Sequence, residues 1–397
     1  MPWTSKAKDM DILNPPTPHG SNKSGIIGRA PGITSITFTP AELFGAAARC
    51  SYLHLVNPAL VTPESTMIAK LVEQHVDDTS KYFAVMSSAD SFKDYAKSYF
   101  SGTVAAGIAY LTMIADGYVW ADHFENERRA GPGIGNSTAT RSPDFVFARS
   151  GHSDVALLES KGTRSANAST FDTTVEDGYI GQVEPHLGYL IGGSTASHGY
   201  SIGAWMTSTT KADVNVHHTD LVTVAPSGGA GPGSTSTLQR NNYATAFSLA
   251  HSVTLAEQIR AGRVYDSSIP FIEFEWLNYR WLTGAADVTF RRVAPYDDNR
   301  FEVYLDPVYL FGRYNTFGQF AVEKTRAEEI LRFVSRAEMP EFAFDIKPMP
   351  MEMRERARSG ENPSAVFPDG LAVIHPNVGG LRSRVTWDGS AEEFSYL

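Results

Sequence analysis

The chain has a single cysteine, Cys50, so neither an internal disulfide nor a thiolate cage for a metal can be built from it. Long apolar runs are missing as well. The best candidate, residues 104–115, falls short of the roughly 18–20 residues that a membrane span needs and stops at Asp116, so no membrane association is expected. The opening Met1-Pro-Trp-Thr-Ser-Lys lacks the apolar stretch of a secretory signal, and with the lone cysteine this leads to the expectation of a cytoplasmic, reducing setting. Positive charge is scarce: Lys+Arg 34 against Asp+Glu 44 leave a formal net charge of −10, which excludes a broad basic surface. Any contact with nucleic acid must then come from a local focus of charge, a metal, a partner protein or a second copy of the chain.

Hydrophobic residues at 42% and aromatics at 11% of 397 positions are too many for a disordered chain and suit two ordinary domains or one large one. Residues 1–34, rich in Pro, Gly, Ser and Lys, read as a flexible arm. A helical region follows over 35–100. It opens on Thr39-Pro-Ala-Glu42, a capping box with proline at the first helical position, and a second start stands at Thr62-Pro-Glu-Ser. Residues 101–115 are small and apolar throughout, as suits a helix packed closely against a sheet. Strands are expected at 118–124, 145–149 and 155–160, the last two joined by a polar turn at 150–154, then a helix over 175–190 and a strand over 200–207. The Gly/Ser/Pro-rich stretch at 223–239 reads as a linker. Beyond it, 240–397 reads as an α+β region of unassigned role, with helices over 243–261 and 327–337, strands near Phe290 and at 301–309, and an extended tail from Pro340.

The chemistry concentrates in Pro143-Asp144 and, fifteen positions later, Glu159-Ser160-Lys161. Side chains alternate along a strand, so Glu159 and Lys161 share a face, while Ser160 points away with its carbonyl near the same edge. Pairing the two strands through the 150–154 turn sets Asp144 beside Glu159, and two carboxylates and a lysine then share one site. Hard divalent ions such as Mg²⁺ or Mn²⁺ take one or two such carboxylates plus carbonyl and water oxygens, and so held can polarise a phosphoryl oxygen and activate a water.

Pro-Asp, a spacer and Glu-x-Lys at a strand end resemble the PD-(D/E)XK nuclease superfamily, whose restriction-endonuclease-like core runs helix, three strands, helix, strand in a mixed sheet flanked by helices. The likeness covers residues 101–222, between the helical N-terminal region and the α+β C-terminal region. It implies a magnesium-dependent nuclease acting on nucleic acid, DNA in particular, of the kind found in restriction, repair and phage-defence systems. By the same resemblance Asp144 and Glu159 are metal ligands, to which the strand geometry adds the Ser160 carbonyl, Lys161 positions the attacking water, and Gln182 in Gly181-Gln-Val-Glu184 is the polar residue on the following helix. The helix over 101–115 holds no acid to serve as a further ligand, so Glu125, with Asp122 and His123 behind it, is the substitute. Arg128, Arg129, Arg141 and Arg164 fall in the same segment and could receive a phosphate backbone.

Two readings compete: a nuclease-like fold without activity that serves as a binding subunit, and a serine hydrolase. The latter rests on Gly199-Tyr-Ser201-Ile-Gly203, a G-x-S-x-G match, with Asp220 and His375 in the required order. The stretch before it is Gly192-Gly-Ser-Thr-Ala-Ser and the one after it is strand-like, so it reads as the Gly-flanked start of a strand instead of the strand-then-helix elbow such a serine needs. His217 and His218 are adjacent, so on a strand only one can face a given ion. Gly131-Pro-Gly-Ile-Gly135 reads as a connection between strands, and the aromatics Phe271 to Trp281 read as core.

Overall fold

The computed structural model describes residues 3–13, 26–28, 33–52, 58–130, 141–164, 167–207, 209–221, 236–262, 268–285, 318–335, 346–360, 362, 364–375, 378, 382–389 and 391–396. In chain order the first half comprises β1 (Lys8–Leu13), β2 (Ile26–Gly28), β3 (Ser35–Phe38), α1 (Pro40–Ser51), α2 (Pro58–His75) and α3 (Asp94–Ala115). Then come β4 (Trp120–His123), α4 (Phe124–Ala130), β5 (Phe145–Ala148), β6 (Val155–Thr163), α5 (Ala168–Gly178), β7 (Leu190–Ile191), β8 (Ser194–Trp205) and β9 (Asp213–Leu221). The second half has α6 (Ser236–Leu249), α7 (Val253–Arg260), β10 (Ile269–Trp276), β11 (Tyr279–Gly284), β12 (Gln319–Glu323), β13 (Ala365–Val366), β14 (Leu371–Ile374), β15 (Arg382–Asp388) and β16 (Glu393–Tyr396), with helices at Lys324–Ser335 and Met351–Ser359.

These strands form two sheets. In the first, the order is β3-β1-β9-β8-β6-β5-β4, with β2 on β9 and β7 on β8. Strands β4, β5 and β6 make an antiparallel meander; β6 and β8 run parallel, the chain between them passing through α5. Helix α3 packs on one face of β6 and β8 and α5 on the other. Covered on both sides, Val155, Ala156, Leu157 and Leu158 form an unbroken buried run instead of alternating. The second sheet, β13-β14-β12-β11-β10-β15-β16, is antiparallel throughout; α6 packs against strands of both sheets, and α1 lies between the second sheet and α3.

The fold is therefore mixed α/β with a mixed sheet flanked by helices, and its order from α3 is α3, β4, α4, β5, β6, α5, β7, β8, with α4 interrupting the three strands expected in succession. The Thr39–Glu42 capping box is formed in both directions at the start of α1. Helix α3 is long and apolar enough to cross a membrane by composition, yet 67% of its most apolar window is buried inside the protein. Its small residues permit this closeness: a Cβ on Gly162 of β6 would lie 2.3 Å from the Ser101 carbonyl oxygen, and one on Gly107 would lie 3.0 Å from Leu43 of α1. Gly162→Val is accordingly expected to force α3 off the sheet and lower stability by about 3 kcal/mol, read as a fall in the urea midpoint. An unchanged midpoint would refute the close packing.

Several expectations are corrected. Residues 3–13 of the supposed arm are integral: Trp3 is fully buried against Phe38 and Phe83, and β1 pairs with β3 and β9, its Met10 and Ile12 pointing into the core. The helix expected over 175–190 begins earlier, at Ala168, and ends at Gly178 in a π turn, Tyr179–Val183, and a short 3₁₀ turn, Glu184–His186. The helix expected over 243–261 is two, broken where His251 takes a positive φ of 63°. The tail is no simple extended strap: among its described residues it holds the helix Met351–Ser359 and four strands of the second sheet. Finally, 101–222 and 240–397 share one hydrophobic core, which runs from Tyr200 through Tyr110 and Phe247 to Trp387. The strands expected near Phe290 and at 301–309, and the Gly131–Gly135 connection, lie outside the described residues.

A buried ionic knot ties the two sheets together. Arg49 of α1 bonds Asp369 Oδ2 at 2.6 Å, Tyr110 of α3 at 2.7 Å and Asn242 of α6 at 3.1 Å. Asn242 in turn donates to Asp369 Oδ2 at 2.9 Å and accepts from the Ala121 amide of β4 at 3.0 Å. The second Pro-Asp of the chain, Pro368-Asp369, thus serves the interior.

Candidate functional site

The rim formed by the start of β5 and the end of β6 carries the polar side chains. Antiparallel register sets Phe145 opposite Leu158, so Asp144 falls opposite Glu159, and the Asp144 amide donates to the Leu158 carbonyl at 3.0 Å. Asp144 Oδ2 accepts from the Ser160 amide at 2.9 Å and the Ser160 hydroxyl at 2.8 Å, which pins the carboxylate against β6 and leaves Oδ1 outside those bonds. Ser160 thereby acts as a double donor to its neighbour, a role not read from the sequence.

Glu159 is 2% exposed. One of its oxygens, Oε1, pairs with the Lys161 ammonium, and the other, Oε2, is buried without a hydrogen-bond partner. Burial first, and the nearby Asp144 charge second, push the Glu159 carboxyl up to about 7, while Lys161 and Gln182 pull the other way. Lys161 Nζ also donates to Gln182 Oε1 at 3.0 Å, and Gln182 Nε2 donates to the Ser142 carbonyl at 3.0 Å. Hydrogen bonds thus link Asp144 to Ser160, and Lys161 to Glu159 and Gln182, at this end of β6. His186 closes the same side, its Nε2 bonded to the Arg141 carbonyl at 3.0 Å and its ring edge-on to Phe124.

Other candidates lie elsewhere. Strand β4 ends at His123, one residue before α4 begins, so Glu125 rides exposed on that short helix instead of closing a strand. Asp122 and Glu127, its buried neighbours, form an acid pair between β4, α4 and α6. Asn126 bonds Asp122 at 3.0 Å and Asn241 bonds Glu127 at 2.9 Å. Burial raises both carboxyls, Asp122 to about 6 and Glu127, further pushed by the Asp122 charge, well above the carboxylate range. Such a pair holds a proton between its members more readily than a cation. Burial lowers the His123 imidazole to about 4, keeping it neutral. Among the described residues no group of three or more His, Cys, Asp or Glu side chains is arranged to hold a metal. A divalent ion at the rim would rest on Asp144 and Glu159 with waters or substrate oxygens, which suits magnesium better than a closed structural site.

Arg164 is not a surface cation. Its side chain is buried, with Nη1 on the Met206 carbonyl at 3.0 Å and Nη2 on Asp90, so it fastens the end of β6 to the turn before α3. Arg149 likewise pairs with Asp116 at 3.2 Å and lies over the Tyr118 ring. Arg141 is exposed beside the rim. The side chains of Arg128 and Arg129, at the end of α4, lie outside the described residues.

Ser201 sits in the middle of β8, fully buried under α5, its hydroxyl donating to the Val175 carbonyl at 2.7 Å. No strand-to-helix elbow occurs there, because β8 continues to Trp205. His375 follows β14 in the other sheet, and the Asp220 side chain lies outside the described residues. His217 and His218 face opposite ways as expected: His217 meets Asp172 on the α5 side at 3.3 Å and His218 stacks on Tyr200 at 4.0 Å. The aromatics of β10 and β11 are mostly interior, Phe271, Phe274 and Trp281 being buried.

Gly178, which the sequence did not mark, presses the end of α5 against this rim, and only the folded arrangement reveals it. No family model, curated protein or solved structure matches the chain.

Proposed function

We propose that the chain is a divalent-metal-dependent nuclease of the PD-(D/E)XK type, hydrolysing phosphodiester bonds of nucleic acid, DNA in the first instance. The observation that supports this best is the meeting of Asp144, Glu159 and Lys161 at one rim, with a buried Glu159 oxygen that has no hydrogen-bond donor. A Mg²⁺ or Mn²⁺ ion would supply charge to a phosphoryl oxygen and acidify a water. Asp144, fixed by Ser160, and Glu159 would hold it. Lys161 leans on Glu159 and Gln182, and from there its ammonium can orient the attacking water and offset negative charge that grows on the phosphoryl group. Attack of water at phosphorus breaks one P–O ester bond and yields a phosphate monoester and an alcohol. Arg141, exposed beside the rim, is a further contact for the backbone. The net charge of −10 calls for help in binding, from a partner protein or a second copy.

Cleavage of plasmid and of single-stranded DNA with Mg²⁺ or Mn²⁺ tests this. Lys161→Ala is expected to lower the rate about 100-fold or more, the loss typical of removing one group that stabilises developing charge, and Asp144→Ala to abolish Mn²⁺ binding by calorimetry. No cleavage and no Mn²⁺ binding would favour a second reading, a nuclease-type fold used only for binding. One observation points that way: no third acidic or imidazole ligand joins the two carboxylates among the described residues.

A further inference from the structure

Gly178 closes α5 with ordinary right-handed helical angles, φ −60° and ψ −44°, so its backbone would accept any residue. A glycine in a helix costs roughly 1 kcal/mol against alanine, and here space is what requires it. A Cβ at this position would lie 2.9 Å from Lys161 Cε, 3.1 Å from Ser201 Oγ and 3.3 Å from Glu159 Cγ. The bare backbone of α5 is thus a wall against the stem of Lys161. Such a stem carries about 2 kcal/mol of rotamer entropy when free, so an amine needed in one place must be held along its length.

The residues that follow complete the hold. Over Tyr179–Val183 the chain makes a π turn, with the Glu184 amide donating to the Tyr179 carbonyl, and the extra residue in that turn changes which side chains face the sheet. Gln182 comes to face Lys161 Nζ and at the same time reaches the Ser142 carbonyl, two residues before Asp144. Lys161 is bounded at Cε by Gly178 and at Nζ by Glu159 and Gln182.

We propose that Gly178 is a positioning residue: its missing side chain lets the end of α5 set where the Lys161 ammonium stands relative to Glu159, and the π turn then brings Gln182 to the same nitrogen. The catalytic consequence rests on the nuclease reading; the placement of the amine does not. Gly102→Ala is the control, since Gly102 is an exposed glycine of α3 with open space at its Cβ.

The experiment compares the full-length protein with Gly178→Ala, Gly102→Ala, Lys161→Ala and the double variant Gly178→Ala/Lys161→Ala. Reductive methylation of Lys161, followed by peptide mass spectrometry, reports the amine directly and needs no activity. We expect labelling to rise about tenfold in Gly178→Ala and to stay unchanged in Gly102→Ala, a tenfold change matching one ion-pair contact of about 1.4 kcal/mol. Metal-dependent kcat should fall about 100-fold with Mn²⁺ affinity and KM within about twofold, as for a misplaced group that leaves binding intact. Truncating Lys161 removes the nearest clash, so Gly178→Ala should destabilise less in the Lys161→Ala background. If Gly178→Ala alone fails to fold, the double variant should fold. Unchanged labelling in a folded Gly178→Ala, equal destabilisation in both backgrounds, or failure of both variants to fold would overturn the proposal. Absence of cleavage by the parent protein would overturn the nuclease reading instead, and the labelling would still decide the role of Gly178.

Discussion

Replacing Asp369 by alanine is expected to cost about 3–5 kcal/mol of stability, because it strands the Arg49 guanidinium in the interior. The side chains of both partners are almost wholly inaccessible, at 5% for Arg49 and 0% for Asp369. Loss of the carboxylate also removes an acceptor from Asn242 and from the Leu371 amide. The charge that remains has Tyr110 and the Asn242 carbonyl for company and, among the described residues, no counter-ion. Chemical denaturation of Asp369→Ala should show the drop as a lower midpoint. The paired replacement Arg49→Met/Asp369→Leu, which removes both charges and keeps the volume, should recover most of it, as buried ion pairs exchanged for apolar groups often do. Equal losses in the single and double variants would show that shape matters here and charge does not.

Glu159→Gln is expected to stabilise the metal-free protein at alkaline pH. The folded environment raises this carboxyl from 4.5 to about 7, so the native state favours its protonated form. Stability from that proton is fully present below pH 4.5 and is lost as the pH climbs through 7. A shift of this size corresponds to about 3 kcal/mol. Glutamine stays neutral, so the variant should pull ahead of the parent between pH 5 and 8 and show no such gain near pH 4. Thermal unfolding at a series of pH values reads this directly. In the parent, Mn²⁺ should bind more tightly as the pH rises to about 7 and then level off, since the ion competes with the proton for Glu159. A pH-independent difference between variant and parent would mean that Glu159 is ionised throughout, held so by Lys161.

The candidate site was legible because it is local in sequence. Asp144, Glu159 and Lys161 belong to one hairpin whose turn is short, and strand alternation alone puts the glutamate and lysine on a common face. Gln182 could be placed by the order of elements, although not by the helix expected to carry it. What stayed hidden depends on partners far along the chain. Arg164 looks like a solvated loop charge until Asp90, 74 positions earlier, is found against it. Likewise the Pro368-Asp369 pair matches the first Pro-Asp in letters, and nothing near it announces Arg49, 320 positions away. The stretch Lys8–Leu13 alternates buried and half-buried residues as a strand should. The Pro, Gly and Ser of the neighbouring positions outweighed that short signal.

Strand β1 also fixes an order of events. Asp11, Ile12 and Leu13 lie parallel to Asp213, Val214 and Asn215, so one edge of β1 meets its partner across about two hundred intervening residues, while the other edge pairs with the nearby β3. Trp3 packs on Phe38 and Phe83, which lie nearer in sequence than β9, so it is the β9-facing edge of β1 that is left waiting. Non-local pairings of this kind slow folding and leave sticky strands waiting. The union of β1 with β9 is therefore expected late in folding, after β1 has already found β3.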